Sequence, residues 1–451
     1  MRFGLFYEHQ LPRPWAEGAE RKLLHDALEQ IELADRLGFH RVWEVEHHFL
    51  EEYSHSSAPE VFLAAASQRT TDIRLGHGIV QTPPAFNHPA RVAERIATLD
   101  LLSDGRVDFG SGESSSEAEL GGFAIDAAQK REMWREGLEV AVRCLTEEPF
   151  AGHEGQFVSM PPRNVVPKPV QKPHPPLWVA CSRRDTIRLA AENGLGALSF
   201  SFIDPEDARG WVEEYESILI ERCTPIGLAV NPRLSCVTPM MVHASEEEAA
   251  RRGLEGANFF GYSLGHYYIF GEHRPGITNV WAEYQERRAG AGFSPDVAAA
   301  VEQERLGAKV AAGEVEGLRG AVGDVEQVRD YVRRYEEAGV DELIFILQAG
   351  NNRHEHICES IELFAREIMP EFADRADEAD KKKDERLAPA IEAALARRPA
   401  SPPAPPDDYK ISGMLKRVAD ATGDDSLKKL NEQMAQDRAE GKPLHIPGVF
   451  D

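Results

Sequence analysis

The sequence predicts an α/β fold of the TIM type, a (β/α)8 barrel with insertions and a C-terminal appendage. Short apolar runs alternate with longer stretches of helical periodicity, and eight strands can be assigned along the 451 residues. Parallel strands need long crossover connections, usually helices, so the alternation indicates a parallel sheet with right-handed crossovers. Eight strand–helix repeats fit a closed barrel better than an open sheet.

The elements follow from runs bounded by turn residues and from apolar residues spaced three or four positions apart. The first strand is a buried apolar run, and the helix after it carries apolar residues from Leu24 to Leu37 and stops at Gly38. The predicted strands are 3–7, 41–45, 73–76, 106–110, 177–180, 197–200, 235–243 and 342–347. The predicted helices are 24–37, one carrying Val92, Ile96 and Leu99, and then 128–145, 187–192, 205–222 and 354–369.

The domain organisation is one barrel domain over 1–372 with two insertions. Residues 149–176 are rich in proline and glycine and are expected to lie over one end of the sheet. Residues 254–318 are long and aromatic, which is typical of a lid or a subunit contact. The segment 373–451 combines a run of mixed charge, a proline-rich linker and a helical tail, and we expect it to lie outside the catalytic body.

Composition excludes several partners. The chain has 51 Lys and Arg against 76 Asp and Glu, a formal charge of −25, which argues against nucleic acid or an anionic membrane as main partner. Its five cysteines are scattered and include no C-x-x-C pair, which fits a reducing compartment better than a disulfide framework. The first residues lack the apolar core of a signal peptide, and no run of ~18 apolar residues occurs. We therefore expect a cytoplasmic protein.

The second predicted strand ends in Glu46-His47-His48. Side chains that follow the strands of a barrel meet the ligand at its carboxyl end, so this cluster predicts an active site. Neutral histidine suits proton transfer near neutral pH, which makes His47 the main candidate. His9 and His77 follow other strands, and hydrogen bonding into the rim would explain them equally well.

Two further strand ends carry small hydroxyl residues and guanidinium groups ahead of predicted helices. Backbone N–H groups at a helix start and arginine side chains both favour an anion, so these loops indicate a phosphate site. Simple capping of the helices by the serines, and a solvated surface for the arginines, are the alternatives. The candidates are Ser111, Ser114 and Ser115 after the fourth strand, and Cys181, Ser182, Arg183 and Arg184 after the fifth.

A metal centre is the main alternative to a proton-transfer site at these strand ends, and the sequence supports it poorly. Adjacent strand residues point to opposite faces, so His47 and His48 are badly placed to share one ion. No H-E-x-x-H motif occurs on a predicted helix. We therefore predict no metal ligands. The Gly76-His77-Gly78 turn would let a flat ligand approach bare backbone, although an ordinary turn explains it as well.

Taken together, five segments resemble the bacterial luciferase-like, flavin-dependent monooxygenase family. The resemblance runs from residue 1 to about 372 and is densest before residue 207. The segments are M-R-F-G-L-F, G-F-x-x-V-W-E-V-E-H-H-F, I-R-L-G-H-G-I-V, H-P-A-R-V-A-E-R-I-A-T-L-D-L-L-S-D-G-R-V and K-P-H-P-P-L-W-V-A.

The resemblance implies a barrel that binds reduced FMN at the carboxyl ends of its strands. A separate flavin reductase would supply the FMN, and O2 would be used to oxidise an organic substrate. His47 would lie beside the flavin ring and handle protons, with Glu46 and His48 in the same motif. Gly78 and Ile79 would contact the cofactor at a cis peptide bond not involving proline. The phosphate would lie at the two serine- and arginine-containing loops, and the family often forms homodimers.

One departure from the family pattern leaves the identity of the cofactor undecided between FMN and F420. The loop reads Gly110-Ser111-Gly112-Glu113-Ser114, where many relatives carry an arginine, and a carboxylate repels phosphate unless it turns away. The deazaflavin coenzyme F420, used for hydride transfer, is therefore the alternative to FMN. A third hypothesis is a flavin-binding protein without turnover. The aromatic run between 259 and 268 favours a medium-sized apolar substrate.

Overall fold

A computed structural model of the protein describes residues 1–200, 202–287 and 320–442. The chain divides into two compact units, Met1–Pro402 and Pro403–Asp451. The second unit contains a pair of helices within its described part, where the sequence predicts a helical tail. No helix of the described residues is long and apolar enough to cross a membrane.

The first unit is built on a closed barrel of eight parallel strands. The strands of the described residues are β1 Arg2–Tyr7, β2 Arg41–Glu44, β3 Arg74–His77, β4 Val80–Gln81, β5 Val107–Gly112, β6 His153–Glu154, β7 Ser159–Met160, β8 Leu177–Cys181, β9 Gly196–Ser199, β10 Leu234–His243, β11 Ala321–Asp324 and β12 Glu342–Ile346. The barrel order is β1-β2-β3-β5-β8-β9-β10-β12, and β12 pairs with β1 to close it. Each of the eight predicted strands overlaps one of these, and the predicted fold class is confirmed.

Helices connect the strands on the outside of the barrel. The described helices are α1 Ala19–Leu37, α2 Pro59–Ser67, α3 Pro89–Leu102, α4 Glu117–Gly122, α5 Lys130–Thr146, α6 Arg184–Glu192, α7 Pro205–Arg222, α8 Glu246–Gly265, α9 Val280–Arg287, α10 Val325–Glu337, α11 His354–Glu367, α12 Met369–Ala373, α13 Ala376–Ala396, α14 Met414–Thr422 and α15 Asp425–Ala439, with a π-helical turn at His266–Phe270. The predicted stop at Gly38 is confirmed, because this glycine caps α1 with φ at +87°.

Successive strand residues divide between two apolar cores, as the period of two requires. On β12, Leu343 and Phe345 pack outward with the helices, whereas Ile344 and Ile346 pack inward. The inner core continues into Phe259 and Phe260 of α8. This helix therefore covers the carboxyl end of the barrel with aromatic side chains.

Buried charges close the amino end of the barrel. Asp108 accepts hydrogen bonds from Arg41 Nε at 3.0 Å, from Arg74 Nε at 2.6 Å and from Trp178 Nε1 at 2.9 Å. Burial alone would raise the pKa of Asp108, but the two guanidinium groups outweigh it and lower that pKa to about 2. Arg41 also pairs with Glu342. With this end plugged, the opposite end is the one open to a ligand.

The structure differs from the sequence-based assignment in the long insertion and at the end of the first unit, and it adds β11 and α10, which were not predicted. Part of the predicted insertion 254–318 is regular, since α8, the π-helical turn and α9 occupy it, while 288–319 lie outside the described residues. The first compact unit also extends beyond the predicted boundary at 372. Its last helix, α13, packs against α7 and is held by charge, since Lys383 Nζ donates to Asp341 Oδ2 at 2.7 Å.

Candidate active site

A cavity of about 720 Å³ lies where the barrel strands end. Its wall combines residues that follow β1, β2, β3, β5, β8 and β9 with residues of α5, α6, α8 and the π-helical turn. The lining residues are Glu8, Val45, His47, Tyr53, Gly78, Ile79, Gln81, Gly112, Glu113, Ser114, Ser115, Lys130, Arg131, Trp134, Val179, Ala180, Ser182, Arg183, Thr186, Leu189, Phe200, Phe202, Phe260, Leu264, Tyr268, Ile269 and Phe270.

His47 lies on this wall between two carboxylates. Its Nδ1 is 3.0 Å from Glu119 Oε1, and its Nε2 is 3.6 Å from Glu8 Oε2. Its own backbone N–H donates to Ser56 O at 2.8 Å, which fixes the backbone beyond β2. The Tyr268 hydroxyl lies 3.4 Å from Nδ1. The imidazole is thus positioned by contacts on both sides.

Glu119 of α4 joins the His47 strand end to the serine loop after β5. Besides the imidazole, it accepts the His48 backbone N–H at 2.9 Å and the Ser114 hydroxyl at 2.5 Å. Burial alone would raise the pKa of Glu119, but the charge of His47 and these hydrogen bonds outweigh burial and lower it. Glu119 is therefore ionised and serves as the fixed counter-ion of His47.

Glu8 follows β1 and is the second acid of the site. Its Oε1 accepts the Tyr53 hydroxyl at 2.9 Å, and Ser54 Oγ donates to its backbone carbonyl at 2.7 Å. Burial raises the pKa of Glu8 to about 7, although the charge of His47 opposes the shift. For His47, burial would lower the pKa, but the charges of Glu8 and Glu119 outweigh it and raise that pKa to about 9. Both groups titrate within reach of neutral pH.

The polar end of the cavity carries three cationic side chains. Arg131 grips Glu113 with two hydrogen bonds, Nε to Oε2 at 2.8 Å and Nη2 to Oε1 at 3.1 Å. Lys130 Nζ lies 3.6 Å from Glu113 Oε1 and donates to Ser115 Oγ at 3.2 Å. Arg183 pairs with Asp185 at 3.2 Å. The Glu113 carboxylate, which the sequence marks as repulsive to phosphate, is therefore neutralised by the two cations of α5.

The rest of the wall is apolar and aromatic. The aromatic rings form a connected set, because Tyr53 packs against Phe260 with centroids 5.4 Å apart and against Tyr268 at 6.1 Å. Phe202 extends the set to Phe260 at 6.0 Å. This surface lies on the same cavity as His47, so an apolar molecule bound there would be held within reach of the imidazole.

The structure brings seven of the twelve predicted site residues onto the cavity wall: His47, Gly78, Ile79, Ser114, Ser115, Ser182 and Arg183. The peptide bond between Gly78 and Ile79 is trans, which corrects the cis bond that the resemblance implies; cis bonds in the described residues all precede proline. Gly78 N donates to Glu44 O at 2.7 Å, which fixes the backbone just beyond β3.

Glu46 and His48 do not line the cavity. Glu46 accepts the Gln81 backbone N–H at 2.7 Å, Asn87 Nδ2 at 2.8 Å and His48 Nε2 at 3.1 Å. His48 lies among aromatic rings, with Phe123 4.9 Å away. Because alternate side chains leave an extended segment on opposite sides, His47 faces the ligand and its two neighbours face the protein.

Ser111, Cys181 and Arg184 also lie off the cavity wall. Ser111 Oγ donates to Trp178 O and accepts from Trp134 Nε1, both at 3.1 Å. Cys181 is buried with Sγ 3.3 Å from Thr186 O, and burial raises the pKa of its thiol. Arg184 Nε donates to Glu214 Oε2 of α7 at 2.6 Å. These three side chains stabilise the scaffold behind the site.

Four charged residues of the site received no role from sequence reasoning: Glu8, Glu119, Lys130 and Arg131. The strand-end rule contained a signal for Glu8, which directly follows β1. The other three come from α4 and α5, and no spacing in the sequence shows that these helices reach the cavity. Among the described residues, no group of three or more His, Cys, Asp or Glu side chains is placed to hold a metal ion.

The closed barrel and a ligand cavity at its carboxyl end define the class of protein, an α/β-barrel enzyme. The model of the luciferase-like monooxygenase family matches residues 1–342. The chain belongs to this family, which confirms the resemblance, and it is an oxidoreductase.

Two relatives illustrate the family. The chain is 27% identical over 379 residues to the oxygenase component of the flavin-dependent trigonelline monooxygenase of Acinetobacter baylyi, covering 83% of this chain and 96% of that protein. It is 31% identical over 255 residues to limonene 1,2-monooxygenase of Rhodococcus erythropolis, covering 53% of this chain and 62% of that protein.

Solved structures agree with the fold. A monooxygenase from Streptomyces bottropensis matches with a TM-score of 0.64 and 25% identity, covering 82% of this chain and all of that one. The oxygenating constituent of 3,6-diketocamphane monooxygenase of Pseudomonas putida, in complex with FMN, matches with a TM-score of 0.60 and 20% identity over 82% of this chain and 98% of that one. The F420-dependent tetrahydromethanopterin reductase of Methanopyrus kandleri matches with a TM-score of 0.57 and 21% identity over 82% of this chain and 99% of that one.

Proposed function

We propose that the protein is the oxygenase of a two-component flavin-dependent monooxygenase. It would take reduced FMN from a separate reductase and use O2 to oxidise a medium-sized apolar organic molecule. One observation carries the proposal: a single cavity of about 720 Å³ joins a cationic, hydroxyl-rich end, a charged imidazole and an aromatic wall. These three features suit the phosphate of FMN, a redox ring that needs protons, and an apolar substrate, respectively.

The polar end fits a phosphate by the balance of its charges. Lys130, Arg131 and Arg183 supply three positive charges against Glu113 and Asp185, so one positive charge remains for a ligand. The hydroxyls of Ser115 and Ser182 add neutral donors, whereas the Ser114 hydroxyl already donates to Glu119. Arg183 is the best placed of the cations, because its partner Asp185 is half exposed and weakly competes for it. The phosphate would be held by Arg183, Ser182, Ser114, Ser115 and Lys130.

The flavin ring would then lie toward His47, with the Gly78-Ile79 segment and Val179 forming apolar contacts on the wall. Reduced flavin, when bound, supplies the two electrons that activate O2. The His47 imidazole is doubly protonated and positively charged at neutral pH, because its pKa is raised to about 9. It can donate that proton at Nε2, while its Nδ1 stays hydrogen-bonded to Glu119. Aromatic residues of α8 and the π-helical turn exclude water from the same space.

Two relatives support parts of this proposal. The relative from Acinetobacter baylyi is named an oxygenase component, which implies a separate reductase. The relative from Rhodococcus erythropolis is named for limonene, an apolar molecule of moderate size.

We further propose that the enzyme is a homodimer of the cytoplasm. The five cysteines are unpaired, which supports a reducing compartment, and light scattering on the purified protein tests the dimer.

The test separates FMN from F420 before any substrate is known. The purified protein is titrated without oxygen with reduced FMN and, separately, with reduced F420, and binding is followed by absorbance and fluorescence. We expect FMN to bind more tightly, and we expect addition of NADH, a flavin reductase and an apolar substrate panel to yield oxygenated product. Tight binding of F420 alone would replace the proposal by hydride transfer. Binding of neither cofactor contradicts it.

A further inference from the structure

We propose that Glu8 is a second proton-handling residue of the cavity, which exchanges a proton with His47 and presents it to the bound ligand. This inference deepens the proposed function and rests on it for the identity of the ligand. Glu8 directly follows β1, which pairs with β2, the strand that leads into the Glu46-His47-His48 segment.

The geometry of the Glu8 carboxyl group carries the inference. Only 2% of the residue is exposed, and one oxygen, Oε1, is satisfied by the Tyr53 hydroxyl at 2.9 Å. The other oxygen, Oε2, is buried without a hydrogen-bond partner, although it lies 3.6 Å from His47 Nε2. Buried carboxylate oxygens are almost always hydrogen-bonded, since an unpaired one is costly. Because Glu8 lines the cavity, its Oε2 can receive a proton from His47 or a hydrogen bond from a molecule bound there.

The surrounding charges make an exchange with His47 feasible. His47 faces Glu8 from the segment after β2, Glu44 faces it from β2 itself, and the Tyr53 and Tyr268 hydroxyls are the other titratable groups nearby. Glu119 lies on the far side of the imidazole. Of these groups, Glu8, Glu119 and His47 form a set of three with a net charge of −1 when all are ionised. One additional proton neutralises the set.

The exchange step balances without any co-reactant. The N–H bond at His47 Nε2 breaks and an O–H bond forms at Glu8 Oε2, while the nitrogen lone pair remains on the ring. His47 becomes neutral and keeps its proton on Nδ1, facing Glu119 at 3.0 Å. The pair has zero net charge before and after the step, so no charge is created in the buried site. Glu8 then holds a proton that can be donated to a developing anion in the cavity.

The ordering of the two titrations supports this role. The pKa of Glu8 is raised to about 7, mainly by burial, whereas the charges of Glu8 and Glu119 raise that of His47 to about 9. As the pH falls, the imidazole is protonated first and the carboxyl group near neutrality. The second proton is therefore gained and lost in the range where a cytoplasmic enzyme works.

The first test needs no flavin, so it can fail independently of the proposed function. The imidazoles of the full-length protein are labelled with 15N and titrated by NMR, and His47 is assigned by its loss in His47→Gln. In Glu8→Gln the negative charge is gone, and the pKa of His47 should fall by about 1 to 3 units. Glu20→Gln is the matched control, because Glu20 Oε1 lies 3.0 Å from His55 Nδ1 on the surface. It should leave His47 unchanged.

Glu8→Asp is a second variant that keeps the test decisive if Glu8→Gln does not fold. It keeps the charge but shortens the reach to His47, so the pKa of His47 should lie between those of wild type and Glu8→Gln. If only Glu8→Asp is obtained, its His47 must still titrate below wild type. A His47 pKa equal to wild type in the substituted proteins overturns the coupling.

The second test measures how the rate of flavin oxidation depends on pH. The oxidation of protein-bound reduced FMN by O2 is followed by absorbance between pH 5.5 and 9. Wild type and Glu20→Gln should share an inflection near pH 7, matching the raised pKa of Glu8. Glu8→Gln should lose it, with the rate at low pH reduced about tenfold or more. An inflection that persists in Glu8→Gln overturns Glu8 as its source.

Discussion

Glu119 Oε1 lies 3.0 Å from His47 Nδ1 and also accepts the backbone N–H of the next residue, His48, at 2.9 Å. One buried carboxylate therefore fixes both the ring and the backbone of the strand end. Because Nδ1–H faces Glu119, Nε2 is the nitrogen left for the cavity. This arrangement explains how two adjacent histidines come to have different surroundings, His47 on the cavity wall and His48 against Glu46.

Substitution of these two histidines should have unequal effects. We expect His47→Gln to slow the oxidation of protein-bound reduced FMN by about 10²- to 10⁴-fold, the range for loss of a proton-transfer group. His48→Gln is the matched control, since His48 contacts Glu46 and lies off the cavity wall. It should change the rate by less than about fivefold. Stopped-flow absorbance measures both, and equal losses in the two variants would contradict the assignment.

The raised pKa of His47 links the site to stability. The folded value of about 9 exceeds the unfolded value of ~6.5, so the stabilisation is complete below pH ~6.5 and is lost as the pH rises through 9. The free energy of unfolding of wild type minus that of His47→Gln should thus fall by about 3 kcal/mol between pH 6 and 9.5. Urea unfolding at the two pH values measures it. A difference that grows with pH would show that the carboxylates do not hold the charge.

Glu46 should matter for folding and not for the ligand. Its carboxylate accepts three hydrogen bonds, from Gln81, Asn87 and His48, and an amide cannot accept all of them. Glu46→Gln should lower the free energy of unfolding by about 1 to 3 kcal/mol, the cost of a buried group left unpaired. FMN affinity, measured by fluorescence on the folded variant, should stay within about threefold of wild type. Loss of FMN binding in a stable Glu46→Gln protein would contradict this prediction and would show that Glu46 contributes to the cofactor site.

The barrel could be predicted from the sequence because most of its strands contain short apolar runs bounded by turn residues. Buried parallel strands appear in a sequence as short apolar runs, and helical spacing follows six of the eight predicted strands. β11, which reads A-V-G-D, was not predicted. It is only four residues long and exists because it pairs with Met240 to His243 of β10. The helix α10 after it was also not predicted, although its buried residues Val328, Val332 and Tyr335 lie at helical spacing.

The site could be predicted in its location and only partly in its residues. The strand-end rule gives the depth of a side chain along the barrel but not the direction in which it points. It therefore proposed both members of two adjacent pairs, His47 with His48 and Arg183 with Arg184, although one of each lies on the wall. Glu119 reaches the site from a helix more than seventy residues after His47. Such contacts depend on packing in three dimensions.

The neighbouring arginines Arg183 and Arg184 give the sharpest test of the phosphate site. Arg183 lines the cavity, whereas Arg184 donates to Glu214 at 2.6 Å and ties α6 to α7. We expect Arg183→Ala to weaken FMN binding by about tenfold, the loss of about 1.4 kcal/mol expected for one partly exposed charged contact. Riboflavin, which lacks the phosphate, should bind to this variant as it does to wild type.

Arg184→Ala is the matched control for this experiment, because it removes the same charge one residue away. It should leave the ratio of FMN to riboflavin affinity unchanged while lowering the melting temperature, since Glu214 loses one of its two arginine partners. Fluorescence titration with both flavins gives the ratios. If Arg183→Ala weakens both flavins equally, the side chain supports the loop and does not bind phosphate. If Arg184→Ala lowers the ratio and Arg183→Ala does not, the phosphate lies on the other side of the α6 start.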